Sequence, residues 1–135
     1  MKEIHLEIVT PSKMAFNGEI LSVKVPGTKG SFQILFNHAP ILSSLEIGMI
    51  KIVDVENKAS YFSTSGGTLE AKNNNVILLV ESLESPEEIN LKRAEESMQR
   101  AKERLSSKNA NLDQVRAENS LKRALNRIKL YNKIK

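Results

Sequence analysis

The sequence predicts an all-β N-terminal domain followed by an antiparallel hairpin of two helices. Residues 1–84 contain short apolar runs between Gly, Pro and Asn turn signals, which is typical of an all-β sandwich or barrel. Residues 85–135 change to the helical period of about 3.6. This part also contains one segment twice, because residues 93–104 return 23 positions later as 116–127 with seven of twelve positions identical. A short polar break separates the copies, so we expect one helix from each.

Alternation of apolar and polar residues predicts the first two strands, each with one exposed face. The apolar positions are Ile4, Leu6 and Ile8 in the first strand and Leu21, Val23 and Val25 in the second. His5 falls on the exposed face of the first strand. Ser22 and Lys24 fall on the exposed face of the second, which ends at Pro26-Gly27.

Further strands are expected after Gly30, after Gly48 and up to the pair Gly66-Gly67. Asn73-Asn74-Asn75 is typical of a turn, because Asn tolerates positive φ. The unbroken apolar run 76–80 then predicts a strand that is covered on both faces. With only 4% aromatic residues, the core of this domain is expected to be mostly aliphatic.

The helical part is expected to begin with a capping box, in which Ser85 caps, Pro86 is the first helical residue and Glu88 reaches back. Asn111 is expected to cap the second helix. Each helix has an apolar stripe, formed by Leu91, Ala94, Met98, Ala101 and Leu105 in the first and by Ala117, Leu121, Ala124, Ile128 and Tyr131 in the second.

Each helix also carries an arginine stripe, centred about 120° around the helix from the apolar one. It consists of Arg93, Arg100 and Arg104 on the first helix and Arg116, Arg123 and Arg127 on the second. A solvated basic face is one interpretation. Arg rather than Lys at all three positions of the second helix favours the other, a surface that grips carboxylate or phosphate groups.

Charge is divided unevenly along the chain. Residues 1–85 carry 7 Lys and Arg against 9 Asp and Glu, whereas residues 86–135 carry 13 against 7. The tail therefore predicts an acidic or phosphate-bearing partner. The chain has no Cys, its start lacks the apolar run of a signal peptide, and no segment approaches about 20 apolar residues, so we expect an intracellular protein without a membrane span.

Little in the sequence indicates catalysis. The two histidines, His5 and His38, have no partnering base, acid and nucleophile, and no metal-ligand spacing is present. The segment 27–31 lacks the spacing of a phosphate-binding loop and is expected to be a hairpin turn. The segment 37–40 is expected to be a surface loop. A β-sandwich binding module with a basic tail for nucleic acid is the alternative function, although acidic residues interleave with the basic ones.

Several short motifs together resemble the ε-subunit family of bacterial F-type ATP synthases. In chain order they are Val9-Thr10-Pro11, Gly18-Glu19, Pro26-Gly27, Gly30-Ser31-Phe32, Asn37-His38-Ala39-Pro40, Ser65-Gly66-Gly67, Arg93-Ala94 and Arg116-Ala117. The resemblance implies a β-sandwich of about ten strands over 1–84 and a regulatory hairpin over 85–135. It implies a non-catalytic rotor subunit in the central stalk of a proton-translocating synthase, peripheral to the cytoplasmic face of the bacterial plasma membrane. The implied partners are γ, the c-ring and the catalytic α and β subunits, not nucleic acid.

The same resemblance implies two docking surfaces. Contact with the c-ring is implied for Gly30, Ser31, Phe32, Asn37 and His38, and family members often have an acidic residue in place of Ser31 and Pro in place of Phe36. Inhibitory contact with β is implied for Arg116, Lys122, Arg123 and Arg127.

Some family members bind ATP between the two helices through an Ile/Leu-Asp-x-x-Arg-Ala motif and further arginines. The matching residues here are Ile89, Asn90, Arg93, Ala94, Arg100, Arg123 and Arg127. Asn90 stands where the motif has Asp and lacks its charge, so we expect weaker ATP binding. No cofactor is required, and ATP is expected as a regulatory ligand.

Overall fold

The computed structural model describes residues 2–106 and 111–134, and the chain divides into two units, Met1–Glu84 and Ser85–Lys135. The first unit is a β-sandwich, in which nine strands are described against the ten that the family resemblance implies. They are β1 (Ile4–Val9), β2 (Met14–Gly27), β3 (Gly30–Ile34), β4 (Ile41–Leu45), β5 (Gly48–Asp54), β6 (Ala59–Thr64), β7 (Gly67–Lys72), β8 (Asn75–Val80) and β9 (Leu83–Glu84).

Strand β2 belongs to both layers of the sandwich. Its first part pairs with β1, and its second part pairs with β3 and β5. One layer has the order β1-β8-β7-β4, and the other extends from β2 through β5 and β6 to β9. The β1–β8 pairing is parallel, and the remaining described pairings are antiparallel.

The core between the layers is aliphatic, as the composition predicts. Leu6, Ile8 and Leu78 are among its fully buried side chains, and Phe16, Phe32, Phe36 and Phe62 pack against it while partly buried. At about 1.5 to 3 kcal/mol for each large apolar side chain, this burial is the main source of stability of the unit.

Two burial predictions for the strands are wrong. Ser22 is buried and Leu21 only partly so, because a register shift between Ile20 and Ser22 interrupts the alternation of β2. Strand β8 is covered on one face only, since Ile77 and Leu79 remain exposed while Val76, Leu78 and Val80 are buried. An apolar run alone does not reveal whether a second layer covers it.

The turns follow their sequence signals. Thr28 and Lys29 connect β2 to β3, where Gly27 is paired with Gly30, so the segment is a hairpin turn and not a phosphate loop. Residues 37–40 form a loop between β3 and β4. Asn73 and Asn74 have φ of 52° and 61° in the β7–β8 turn, as expected for Asn.

The second unit begins with a short 3-10 helix, Pro86–Glu88, and not with the first long helix. The Glu88 carboxylate does accept bonds from the Ser85 backbone N–H and hydroxyl, but this box closes only the short turn. Helix α1 (Leu91–Ser106) begins three residues later. Its cap is Asn90, whose side-chain oxygen accepts a bond from the Arg93 N–H at 3.1 Å.

Helix α2 (Asn111–Ile134) packs along α1, and because only residues 107–110 separate them the two helices run antiparallel. Side chains 111–113 lie outside the described residues, and so does the capping role predicted for Asn111. Alanines of the repeated segment are the most buried residues of both apolar stripes: Ala94, Ala101, Ala117 and Ala124. Leu130 is also fully buried, although the stripe prediction omits it.

Candidate functional site

Both copies of the repeated segment contribute to one polar groove of about 290 Å³ in the helical unit. It is lined by Ser97, Arg100, Ala101 and Arg104 from α1 and by Ser120, Arg123 and Arg127 from α2. The guanidinium groups come to one side of the hairpin because the two arginine stripes have the same angular offset from the apolar seam. We call this site the arginine groove.

A serine accompanies one arginine on each helix. Nη2 of Arg100 donates to the Ser97 hydroxyl oxygen at 3.1 Å, and Nη2 of Arg123 donates to that of Ser120 at 3.3 Å. Both serines are half-buried. Each serine lies one turn before its arginine, so the same bond forms at equivalent positions of the two helices.

The groove gathers part of the ATP-binding residues that the resemblance implies. Arg100, Arg123 and Arg127 line it together. The other residues of that set do not: Ile89 and Ala94 are buried, the Asn90 oxygen caps α1, and Arg93 is exposed. The two serines were missed as ligand-contacting candidates, and Arg104, predicted as part of the arginine stripe, was absent from the ATP-binding set. Identity of the two copies at Ser97/Ser120 and Arg104/Arg127 was the signal that could have found them.

The residues implied in contact with β share this region only in part. Arg123 and Arg127 line the groove, whereas Arg116 and Lys122 are exposed and do not line it. An acidic partner and a phosphate ligand would therefore use two of the same guanidinium groups.

The residues implied in contact with the c-ring occupy two separate places on the sandwich. The turn that leads to Gly30 is bonded through the Thr28 N–H to the Ser44 carbonyl, near the C-terminal end of β4. Asn37 instead donates its N–H to Asn74 Oδ1 at 2.7 Å, beyond the N-terminal end of β4. Ser31 and Asn37 are exposed, whereas Phe32 and His38 are partly buried.

The outer face of the β1-β8-β7-β4 layer carries exposed apolar side chains that sequence reasoning assigned to the core or left unassigned. Leu79 of β8 is 53% exposed and Leu42 of β4 is 75% exposed, with Ile77 and Met14 nearby in the same layer and at its edge. We call these four residues the outer apolar patch. Glu70 of β7 lies between Ile77 and Leu42 in the strand register, so this face is a mixed apolar and polar surface of the kind found at interaction sites.

His5 lies on the same outer face, opposite Glu19 in the β1–β2 pairing. Its Nδ1 is 2.7 Å from Glu19 Oε1, and its Nε2 is 3.6 Å from Glu7 Oε1. The hydrogen bond to Glu19, with the charges of Glu19 and Glu7, raises the pKa of the imidazole. This exposed cluster, which we call the His5 clip, links β1 to β2, and the partners of the imidazole in it are two carboxylates.

Two domain models of one protein family match consecutive parts of the chain. The β-sandwich domain of the ATP synthase delta/epsilon chain matches residues 3–86, and the long alpha-helix domain of the same chain matches residues 87–132. The chain belongs to the ATP synthase delta/epsilon chain family. The family resemblance found in the short motifs is thereby confirmed, as is the predicted order of sandwich and helices.

Bacterial relatives in the delta/epsilon family match over almost their whole length. The ATP synthase epsilon chain of Desulforamulus reducens is 39% identical over 130 residues, covering 95% of this chain and 96% of the relative. That of Clostridium novyi is 39% identical, covering 96% and 98%, and that of Moorella thermoacetica is 36% identical, covering 96% of each.

Solved structures share the fold of the delta/epsilon family at low sequence identity. A chain in the Euglena gracilis mitochondrial ATP synthase (OSCP/F1/c-ring) superposes with a TM-score of 0.85 at 15% identity, covering 93% of this chain and 79% of that one. A chain in the central stalk and c-ring of the Tetrahymena thermophila enzyme gives 0.61 at 17% identity, covering 99% and 98%. Along the described residues, no helix combines the length and apolar composition that crossing a bilayer requires.

Proposed function

We propose that this chain is a non-catalytic rotor subunit of the central stalk of a proton-translocating F-type ATP synthase. The observation that carries the proposal is the match of both domain models, in order, to 3–86 and 87–132. The subunit would lie at the cytoplasmic face of the bacterial plasma membrane as a peripheral part of the complex, in contact with γ, the c-ring and the α/β head.

The sandwich would make the permanent contacts. The outer apolar patch supports docking to γ, because apolar side chains such as Leu79 and Leu42 lose water contact when a partner covers them. For the c-ring we propose the residues implied by the resemblance: Gly30, Ser31, Phe32, Asn37 and His38. Since these lie at two ends of β4, we propose that the ring contact involves two loops and not one.

The helical unit would inhibit ATP hydrolysis through Arg116, Lys122, Arg123 and Arg127, which would face acidic groups of β. ATP bound in the arginine groove would oppose this, because it would occupy Arg123 and Arg127. A hydrogen bond from Arg to phosphate contributes about 1.5 to 3 kcal/mol. Two or three such bonds are enough to shift a hairpin between two positions of similar free energy.

The test is the ATPase rate of the reconstituted complex with the full chain and with a chain that ends at Glu84. The first unit forms its own core, so assembly with γ should persist. We expect faster ATP hydrolysis without residues 85–135, and an unchanged rate would refute inhibition by the helices. Failure of the full chain to co-purify with γ would refute the stalk assignment, and a salt-dependent gel shift would favour the nucleic-acid alternative.

The docking surface is tested by Leu79→Ser and Leu42→Ser in the full chain. Both side chains are mostly exposed, so these changes should leave the unfolding midpoint of the isolated chain almost unchanged. We expect each to weaken binding to γ. Ser44→Ala, on the same strand as Leu42, is the control that leaves binding intact.

A further inference from the structure

The loop between β3 and β4 contains a turn whose backbone conformation needs support. The His38 N–H donates to the Leu35 carbonyl oxygen at 3.1 Å, which closes a turn over residues 35–38. Within this turn Asn37 has a φ of 63°, in the left-handed region that residues with a side chain seldom adopt. Asn37 is also exposed, so it gains little from burial. A fixed shape for this turn therefore depends on contacts from another part of the sandwich.

The β7–β8 turn supplies those contacts. The Asn37 N–H donates to Asn74 Oδ1 at 2.7 Å, and Asn74 Nδ2 donates to Asn37 Oδ1 at 3.4 Å. We call this pair of hydrogen bonds the asparagine clasp. The two residues are 37 positions apart in the sequence, so the clasp joins two turns that only the folded sandwich brings together.

Asn74 is itself held in place by the sandwich. Its carbonyl oxygen accepts the His5 N–H at 2.9 Å, and its side chain is half-buried, whereas the neighbouring Asn73 is exposed. The cavity between the β7–β8 turn and the loop, lined in part by His38 and Asn74, measures only about 10 Å³. That volume is at the lower limit for a single water molecule, so the two turns pack closely. The clasp thus ties the exposed turn to a rigid part of the fold.

We propose that Asn74 is a positioning residue for the c-ring contact. It acts through the Asn37 N–H, by holding the 35–38 turn in the shape that presents Asn37 and His38 to the ring. A loop that already has its bound conformation loses less conformational entropy on binding, and affinity falls in proportion as that conformation becomes less populated. This role deepens the c-ring part of the proposed function and rests on it.

Three variants of the β7–β8 turn isolate the clasp. Asn74→Gly removes both of its hydrogen bonds, and Gly accepts the φ of 61° found at this position. Asn73→Gly is the matched control, because it makes the same replacement at a φ of 52° in the same turn and its side chain is not part of the clasp. Asn74→Asp keeps an oxygen that accepts the Asn37 N–H and loses only the longer bond.

Binding of the γ complex of each chain to detergent-solubilised c-rings, with γ alone as the baseline, tests the proposal. We expect Asn74→Gly to weaken binding about fivefold, the loss expected for one hydrogen bond, and Asn73→Gly and Asn74→Asp to weaken it less than about threefold. A loss below threefold in Asn74→Gly, or an equal loss in either of the other variants, would overturn the role of Asn74 and leave the ring contact standing. If the parent chain adds no ring affinity to γ, the ring contact itself is refuted, and the role of Asn74 with it.

Hydrogen–deuterium exchange of the isolated full chain separates positioning from a general effect on the fold. The Asn37 amide should exchange about fivefold faster in Asn74→Gly and at the parent rate in Asn73→Gly, because only the first variant removes its acceptor. The urea midpoints of the two glycine variants should agree, since both make the same change in the unfolded chain. Weaker ring binding by Asn74→Gly without faster exchange at Asn37 would overturn the positioning role.

Discussion

The cap of helix α1 gives the sharpest stability prediction. Asn90 supplies two acceptors to the first turn, because its side-chain oxygen binds the Arg93 N–H at 3.1 Å and its carbonyl binds the Ala94 N–H at 3.0 Å. Asn90→Ala removes only the first of these. Loss of a side-chain cap costs about 1 kcal/mol, which corresponds to about fivefold more opening of the first turn.

Two further variants at this position separate the cap from other effects. Asn90→Ser keeps an oxygen acceptor and should behave almost like the parent chain. Asn90→Asp keeps the acceptor and adds a negative charge at the positive end of the helix dipole. This charge should stabilise α1 by a further ~0.3 to 1 kcal/mol. The expected order of stability is Asp, then Asn and Ser, then Ala.

Hydrogen–deuterium exchange resolved to single amides is the assay. Exchange at Arg93 and Ala94 should be about fivefold faster in the Ala variant. The amides of Leu6 and Leu78, in the core of the other unit, serve as an internal control and should not change. Equal exchange in the Asn and Ala chains, or faster exchange in the Asp chain, would refute the assignment of Asn90 as the cap.

Three other predictions concern the sandwich. Gly67→Ala should destabilise the first unit by about 3 kcal/mol in chemical denaturation, because Gly67 has a φ of 155° and a Cβ there would clash with the Leu79 carbonyl oxygen. Gly18→Ala is the control in the same assay, since a Cβ at Gly18 would have its nearest neighbour at 3.8 Å. His5 should titrate above its ordinary value of about 6.5 by NMR, and Glu19→Gln should lower the midpoint. Because the pKa of His5 is higher in the folded than in the unfolded chain, the His5 clip should stabilise the fold below about pH 6.5. This stabilisation should be lost as the pH rises through the folded pKa. An NMR titration midpoint of His5 at or below 6.5 would contradict this. Leu78→Ala should cost about 2 to 5 kcal/mol, and the neighbouring Leu79→Ala less than about 0.5 kcal/mol, by urea unfolding.

The elements of the fold were predictable where a local rule governs them. The 23-residue repeat and the change of period predict the two helices, and the β2–β3 hairpin follows from its Gly-flanked turn. The burial of Ser22 was not predictable, because the register shift beside it depends on the pairing of β2 with β5. The exposure of Leu79 was not predictable either, because it depends on whether another layer packs on the outer face of β8.

The start of α1 shows how two valid signals can compete. Ser85-Pro86 and Glu88 satisfy the capping pattern, and they do form a helical turn, but of the 3-10 kind. The chain leaves that turn at Ile89, whose side chain is buried and whose backbone is extended, and Asn90 then caps the long helix. The extended backbone at Ile89 therefore separates the two capping residues, and Asn90 is the one that begins α1.

The arginine groove was predictable as chemistry but not as a set of contacts. Angular position identified the arginine stripes, and each serine lies one turn from its arginine on the same helix, yet only the antiparallel packing brings the two stripes into one groove. Position in the motif did not substitute for geometry, since Asn90, at the Asp position of the motif, caps α1 and does not line the groove.

The sharing of β2 between the two layers has a mechanical consequence. In a sandwich whose layers meet only through side chains, one layer can slide over the other without breaking main-chain bonds. Here the 14-residue strand β2 is hydrogen-bonded to β1 in one layer and to β5 in the other. Sliding of one layer over the other would therefore require main-chain hydrogen bonds of β2 to break. A force applied to one layer is therefore transmitted to the other through the backbone of β2.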